Sequence, residues 1–563
     1  MKMRVKYINR KHGNKIYRYP LLGYSYRDRK GTPQFKIVLN LSKLPEKAVK
    51  AITDALTPKD TELPVDEQKL IIGDTLNYQG STSIGDAWTA LRIAEDAGIT
   101  DLLRQNVPQK HYQLLICMII DRVINPKPWS KLALKEALPE SGLARIIDYQ
   151  EQPLHEFYLA LESIFKVQQK IEKALFDRTP KKTRLILYDI TSAYFEGTCC
   201  PLAVFGNDRD HKKGKMVILI GLLADEAGRP IAVKVFEGNT SEQTTVLDQI
   251  RNLQSDFGID DIIFVGDRGM LTKARRTELN DEEFERVSYI SALPRDEIVQ
   301  LIEDESHPMQ LSLFDRQNLA EVESDNVRYV LCHNPDKQDD DRTTRRRLME
   351  KTEEKLAMIQ RNVKAGRWKK QKVIAERLHR WWDRWKMKKF FDVEYDEGHF
   401  LFSRNETKIK KWENLDGSYV LASTVEKSQY DTAQIRERYK SLKWVEFAFR
   451  SLKTDDLFVR PVRHWNADRV RGHVFVSMLA YMVIWDARHG LDEFLQRNDD
   501  NSCEAGSLKG VWNKLNKITI GTIKLHDQTF QQISPLTNLQ KRMLKAVNAN
   551  LNMEAKKRLK AVG

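Results

Sequence analysis

Two aspartates stand where a carboxylate has chemistry open to it. Asp189 closes the apolar run of RLILYDIT (Arg184 to Thr191), and Asp267 closes that of IIFVGDRG (Ile262 to Gly269). Such runs read as buried strands, and an acid after one sits at the carboxyl end of the sheet, where α/β folds bind ligands. An Asp also ends strands as a turn former or helix N-cap. Two in one sheet, with no Lys or Arg directly beside Asp189, point instead to like charges relieved by a bound cation. Oxygen ligands without Cys or His select Mg2+ or Mn2+ over zinc. Two such ions roughly 3.5–4 Å apart clamp the attacking and leaving oxygens of an in-line phosphoryl displacement.

Such a site needs a third carboxylate, and a helix returning to the sheet is a natural place for it. The candidate is Glu446, in IRERYKSLKWVEFAFRSLKTDD. Tyr439, Glu446 and Lys453 are spaced by seven and share one face of a helix, with Lys443 and Arg450 near that face. The plain alternative is a salt-bridged surface stripe. If the stripe faces the two aspartates, Glu446 is a metal ligand and Lys453 and Tyr439 hold phosphates.

The elements that must position these residues follow from periodicity. Lys15–Tyr26 and Gln34–Leu41 predict a small β-meander, and about Pro45 to Lys173 is helical, with breaks at Pro108, Pro126, Pro128 and Pro139. From Pro180 the pattern predicts three strands, a helix over Glu242–Phe257, a strand, a second helix and a fifth strand at Tyr289–Pro294. Together these suggest a mixed sheet covered by helices. Asp431 to Arg450 reads as one strong helix. IGTIKLHD and PLTNLQKRMLKAVNANL predict a strand pair and a terminal helix.

Composition narrows the class of partner. The 563 residues carry a net charge of +14, with 18 Lys or Arg against five acids between Arg342 and Lys389. A solvated helix face would mix its signs. This segment does not, and it carries Trp368, Trp381, Trp382 and Trp385, as suits a polyanion that also offers flat bases. Trp381 and Trp385, at i and i+4, would equally make a core stripe. Five scattered cysteines build no disulfide framework, no run of about 18 apolar residues predicts a membrane span, and the start lacks a signal peptide's apolar region. A cytoplasmic protein is expected.

The order strand–Asp, strand–Asp, long insertion, helix–Glu resembles the DDE transposases of bacterial insertion sequences. Tyr439, Glu446 and Lys453 match three of the four fixed positions of the Y-x2-R-x3-E-x6-K signature of one cut-and-paste branch. Leu442 stands at the Arg position, followed by Lys443. YDITSAYFEG, GNDRDHKKGK, FVGDRGM and RPVRHWNADRVRGHVFVSMLAYMV are similar to family segments too, over about residues 180–490.

The resemblance implies an α/β fold, a ribonuclease-H-like mixed sheet core split by a large insertion, behind a small β-rich N-terminus and an all-helical region. It implies the segments 1–45 (β-rich), 46–180 (helical, DNA-binding or dimerising), 181–302 (core, first part), 303–428 (insertion), 429–490 (core, second part) and 491–563 (C-terminal). Asp189, Asp267 and Glu446 would be catalytic ligands of two Mg2+ or Mn2+ ions. Tyr439, Lys443, Arg450, Lys453, Arg268, Arg463, Arg469, Trp381 and Trp385 would contact DNA. The partners would be terminal inverted repeats and target DNA, held by a DNA-bridged homodimer near the bacterial nucleoid, with no membrane. The charged loop Asp208–Lys215 would touch phosphates or lie solvated. The alternatives are a structure-specific nuclease on the same fold, or a DNA-binding protein descended from a transposase.

Overall fold

The computed structural model describes residues 3–12, 15–27, 32–56, 76–125, 127–178, 184–209, 212, 214–310, 319–455, 457, 459–496, 504–525 and 528–551. The chain divides into two compact units, one of Met1–Ile171, Ser451–Val459 and Asn466–Gly563, the other of Glu172–Arg450 and Arg460–Trp465.

The first unit opens on an antiparallel meander of β1 (Met3–His12), β2 (Lys15–Arg27) and β3 (Pro33–Asn40). The helix Glu46–Leu56 covers one face of it, through Leu22, Leu41, Val49 and Ile52. β4 (Leu76–Ser83) follows, so the region 46–180 is not all-helical. Its strand character escaped notice because LNYQGSTS has almost no apolar residues to alternate. The helices Gln109–Ile124, Leu154–Lys166 and Ala467–Gly490 pack on one another. The first is buried from His111 to Val123 and the last from Val474 to Ile484, an all-round burial that marks interior helices.

The second unit is built on one eight-stranded sheet. Its strands are β5 (Leu185–Tyr194), β6 (Val217–Ala224), β7 (Pro230–Glu237), β8 (Ile262–Gly266), β9 (Val287–Ala292), β10 (Leu319–Ser324), β11 (Val327–His333) and a late strand numbered below. β5, β6 and β7 form an antiparallel meander, and β8 and β9 add to the other side of β5 in parallel. That is the three-strand, helix, strand, helix, strand sequence expected from periodicity. A separate hairpin of β12 (Phe391–Asp396) and β13 (His399–Arg404) precedes the late strand, β14 (Ser418–Ser423).

The sheet order is β10-β11-β14-β9-β8-β5-β6-β7. The segment 303–428 is therefore not a plain insertion. β10, β11 and β14 continue the core sheet antiparallel beyond β9, because pairing satisfies an edge that would otherwise lie open. Only the helices Pro335–Lys364 and Gln371–Trp385, the hairpin and Glu406–Glu413 stand apart, around their own apolar cluster.

The C-terminal part returns to the first unit. β15 (Thr519–Leu525) pairs with β16 (Gln528–Ile533) on one side and with β4 on the other. The expected strand pair is thus a three-stranded sheet, and its third member comes from the other end of the sequence.

Candidate active site

The parallel ladder between β5 and β8 aligns Leu185 with Ile263, Leu187 with Val265 and Tyr188 with Gly266. The next step along both chains is Asp189 and Asp267. Aligned residues of parallel neighbours point to the same face, and the strands lie about 4.8 Å apart. The register therefore sets the two carboxylates side by side. Asp189 does not end its strand, as the sequence suggested. β5 continues to Tyr194, paired with β6, while β8 stops at Gly266. Asp189 thus stands at a fork, where β5 loses its neighbour on one side only.

The opposite face of β5 is locked in place. Ile186, Tyr188 and Ile190 enter the apolar cluster that also holds Phe264, Val246 and Ile250. Tyr188 Oη donates to Thr245 Oγ1 at 3.1 Å. The ring passes so close over Gly221 that a Cβ there would lie 2.7 Å from the phenol oxygen. Only glycine leaves that room.

Each aspartate accepts one hydrogen bond from the next backbone N–H, Asp189 from Ile190 at 2.7 Å and Asp267 from Arg268 at 2.6 Å. Among the described residues neither is ion-paired, and neither is Glu446. Burial pushes the half-buried Asp189 carboxyl up to about 7, and Asp267 and Glu242 push the same way. The Ile190 N–H and the Arg209 guanidinium oppose them.

Glu446 lies on the helix Leu442–Arg450, which packs on β5 and β6 through a buried side made by Val445, Ala448 and Phe449. These three lie outside the cluster under Tyr188, so this helix covers the face of β5 that carries Asp189. The expected continuous helix is broken. Thr432–Lys440 ends, Ser441 makes a tight turn, and Leu442–Arg450 resumes before a π-helical turn, Ser451–Asp455. Spacing by seven thus does not by itself hold Tyr439, Glu446 and Lys453 on one face.

The link between Tyr439 and Glu446 comes instead from packing. Burial, together with Asp267, Glu446 and Asp189 and against Arg268, raises the Tyr439 phenol to about 12. One phenol is within electrostatic reach of all three acids. Among the described residues, no three His, Cys, Asp or Glu side chains are drawn together into a metal cage. What the fold supplies is a two-aspartate platform and a third carboxylate on the helix over it. Oxygen-only donors, mutual repulsion and the lack of a described ion pair all fit a hard divalent cation.

The remaining sequence candidates are placed unevenly. Arg268 is exposed beside Asp267 and acts on Tyr439. Lys443 Nζ lies 5.0 Å from the ring of Trp444, on the Glu446 helix. Arg450 is exposed at the end of that helix. Lys453 belongs to the other unit, in its segment Ser451–Val459, and so does Arg469, in Asn466–Gly563, whose Nε donates to Glu162 at 2.6 Å. Arg463 pairs with Glu196 at 2.9 Å beside the bridge between Phe195 and Val462.

The side chains of Trp381 and Trp385 lie outside the described residues. Trp382 and Trp368 do not present a stacking surface. Trp382 is buried among Met349, Leu378 and Phe390, and Trp368 packs on the same cluster. These two tryptophans serve a core that the basic segment builds for itself.

Two residues that matter here were not singled out by the sequence reading. Arg209, from GNDRDHKKGK, neither touches solvent alone nor simply faces outward. Its backbone N–H donates to Ser192 Oγ at 2.9 Å, and its guanidinium donates to the Ile190 carbonyl and to Glu242. Glu242 opens the helix Glu242–Ser255 and acts on Asp189 as a fourth carboxylate. A lone Arg in a mixed-charge loop gave no sign of this, because its destination depends on how the loop folds back over β5.

No family model matches the chain, and no curated protein does. Among solved structures the chain aligns with a piggyBac transposase synaptic complex with hairpin DNA. That alignment has a TM-score of 0.37 and 9% identity, covering 86% of this chain and 87% of the other. It also aligns with a Mos1 transposase paired-end complex with left transposon end, at a TM-score of 0.14 and 15% identity, over 29% of this chain and 59% of that one. Both scores fall below 0.5.

Proposed function

We propose that this protein cuts and joins DNA by metal-dependent phosphoryl transfer, as a DDE transposase with Asp189, Asp267 and Glu446 as its catalytic carboxylates. The observation that supports the reading is the β5–β8 register, which aligns the strand positions just before Asp189 and Asp267, two acids without a salt bridge among the described residues, while the helix that bears Glu446 packs on β5. A structural pair of aspartates would be matched by Lys or Arg, since two unpaired like charges at one strand spacing repel. The ribonuclease-H-like core stays part of this proposal. Its support is the mixed sheet, with the acids on adjacent parallel strands.

Bound Mg2+ or Mn2+, two ions in this reading, would supply charge neutralisation and activation of the attacking oxygen. The chain's own residues do the rest. Asp189 and Asp267 are held rigid by the ladder and by their N–H contacts. Tyr439 stays a protonated phenol near neutral pH, able to donate to a phosphate oxygen. Arg268 and Lys443 offer positive charge beside the acids, and Arg450 ends the same helix. Terminal inverted repeats and target DNA as substrates, a DNA-bridged homodimer and a place at the bacterial nucleoid follow from the family resemblance. No described helix is long and apolar enough to cross a membrane.

The test is nicking of a duplex that carries the inverted repeats flanking the protein's own gene, with Mg2+ or Mn2+. End-specific nicks that disappear in Asp189→Ala, Asp267→Ala and Glu446→Ala support the reading. Cleavage that ignores the repeats would favour a structure-specific nuclease. Intact function in all three variants would sink the catalytic assignment.

A further inference from the structure

We infer that Arg209 is a positioning residue for Asp189, closing a ring of hydrogen bonds that ties both chain neighbours of that carboxylate to one helix start. The inference rests on the catalytic reading above and deepens it, by naming what holds the first carboxylate in place.

The need for such a device follows from the strand. In a ladder, successive residues turn their backbone N–H and C=O to alternate edges. The Arg184 carbonyl accepts from Ile263 N–H of β8, and the Tyr194 carbonyl accepts from Val462 N–H. Phe195 faces the other way, its N–H donating to the Met216 carbonyl beside β6. The even-numbered residues of β5 therefore face the β8 edge. β8 pairs no further than Tyr188, and the next partner along that edge is the bridge of Phe195 to Val462. Between the two, Ile190 and Ser192 look onto an open edge, although both are fully buried. A buried carbonyl left without a partner costs about as much as a lost hydrogen bond.

Arg209 fills that gap. Its guanidinium donates to the Ile190 carbonyl, and its backbone N–H donates to Ser192 Oγ at 2.9 Å. The same guanidinium donates to the Glu242 carboxylate. Glu242 is the first residue of the helix Glu242–Ser255, where the helix dipole favours an acid. Its carbonyl accepts from Thr245 Oγ1 at 2.7 Å, and Thr245 Oγ1 accepts from Tyr188 Oη at 3.1 Å. The bonds thus run Tyr188, Thr245, Glu242, Arg209, Ile190, and Asp189 is the residue between the two ends. Ile190 N–H donates to the Asp189 carboxylate at 2.7 Å, which passes the constraint to the acid itself. A lysine would present a point charge there. The planar fork of an arginine is what serves a carbonyl and a carboxylate together.

The experiment measures Mn2+ binding to the full chain, by electron paramagnetic resonance of the free ion, and hydrogen exchange over residues 189–194 in the metal-free protein. Arg209→Ala should weaken Mn2+ binding about 10- to 100-fold, the usual cost of removing a group that orients a metal ligand. A guanidinium acting through its charge alone would give the opposite sign, since losing a nearby cation tightens a cation site. Arg209→Lys keeps the charge and should weaken binding nearly as much. Methylguanidinium added to Arg209→Ala should restore part of the affinity, which it could not do for a misfolded chain. Tyr188→Phe opens the ring at its other end, so its loss should not add to that of Arg209→Ala. Exchange over 189–194 should quicken in both variants. Unchanged or tighter Mn2+ binding in Arg209→Ala would overturn the assignment, as would full additivity of the two losses. A wild type that takes up no Mn2+ would sink the metal reading alone. The ring would then be judged by exchange, upheld if Arg209→Ala quickens it and overturned if it does not.

Discussion

The eight-stranded sheet and the N-terminal meander each concentrate one sign of charge, and they hold it in opposite ways. In the large sheet Asp189 is half-buried within β5 and Asp267 follows β8, with burial and the neighbouring Asp267 working against ionisation of Asp189. In the small sheet many cations stand exposed, steadied only by an aromatic ring and a serine. The first arrangement stores unfavourable electrostatics that a bound cation would relieve. The second stores almost none, because solvent screens each exposed cation. Position matters to the ångström in the one and number matters in the other.

The strongest way to break that contrast is to remove a carboxylate. Asp189→Ala or Glu446→Ala should lower metal-dependent nicking by a factor on the order of a thousand or more, about 4 kcal/mol of barrier, with duplex binding unchanged. Binding lost along with cleavage would show that the carboxylates also hold the duplex.

The next effect is on stability. The folded-state value of Asp189 lies above its unfolded one, so protonation favours the fold. The benefit is complete below about pH 4 and is lost as pH rises through about 7. Asp189→Asn should therefore melt higher than wild type at pH 8, by at most about 4 kcal/mol, and the gain should shrink steadily toward pH 4. Mn2+ should raise the wild-type melting temperature at pH 8 and leave that of Asp189→Asn/Asp267→Asn nearly unchanged. A variant no more stable than wild type at pH 8 would mean that Asp189 is already neutralised.

Smaller still is Tyr439→Phe. It removes a donor but no charge, and should slow nicking by about tenfold while leaving the melting temperature within a degree or two. Smallest is Arg4→Ala/Lys6→Ala on folding. Two exposed cations should change stability by no more than about 0.5 kcal/mol, read by thermal melting. A large loss would mean that the contacts of Arg4 and Lys6 with Phe35 and Ser25 help to hold the sheet together.

The sequence showed these two regions unequally. Asp189 and Asp267 were legible because a buried strand announces itself by an apolar run. Their adjacency was not, since it depends on a ladder between residues some 80 apart. Glu446 came from a resemblance, through a seven-residue spacing that the break at Ser441 interrupts. A helix pattern cannot show a single tightened turn when the residues around it remain good helix formers. The basic stretch Arg342–Lys389 drew attention by its total charge, yet Arg345 is spent on Asp416 inside the fold and Lys389 on Asp296.

The pairing of β4 with β15 has a consequence for synthesis. Roughly 440 residues separate the two strands, and translation at about 5–20 residues per second needs roughly 20 to 90 s to cross that gap. Until β15 emerges β4 lacks its strand partner, and β5–β14 are made in that interval. The acid-bearing sheet can thus mature on the ribosome first, and the three-stranded sheet of the other unit closes only as the last strands emerge. Premature termination ahead of Thr519 would leave β4 without its partner, a product suited to aggregation and to quality control.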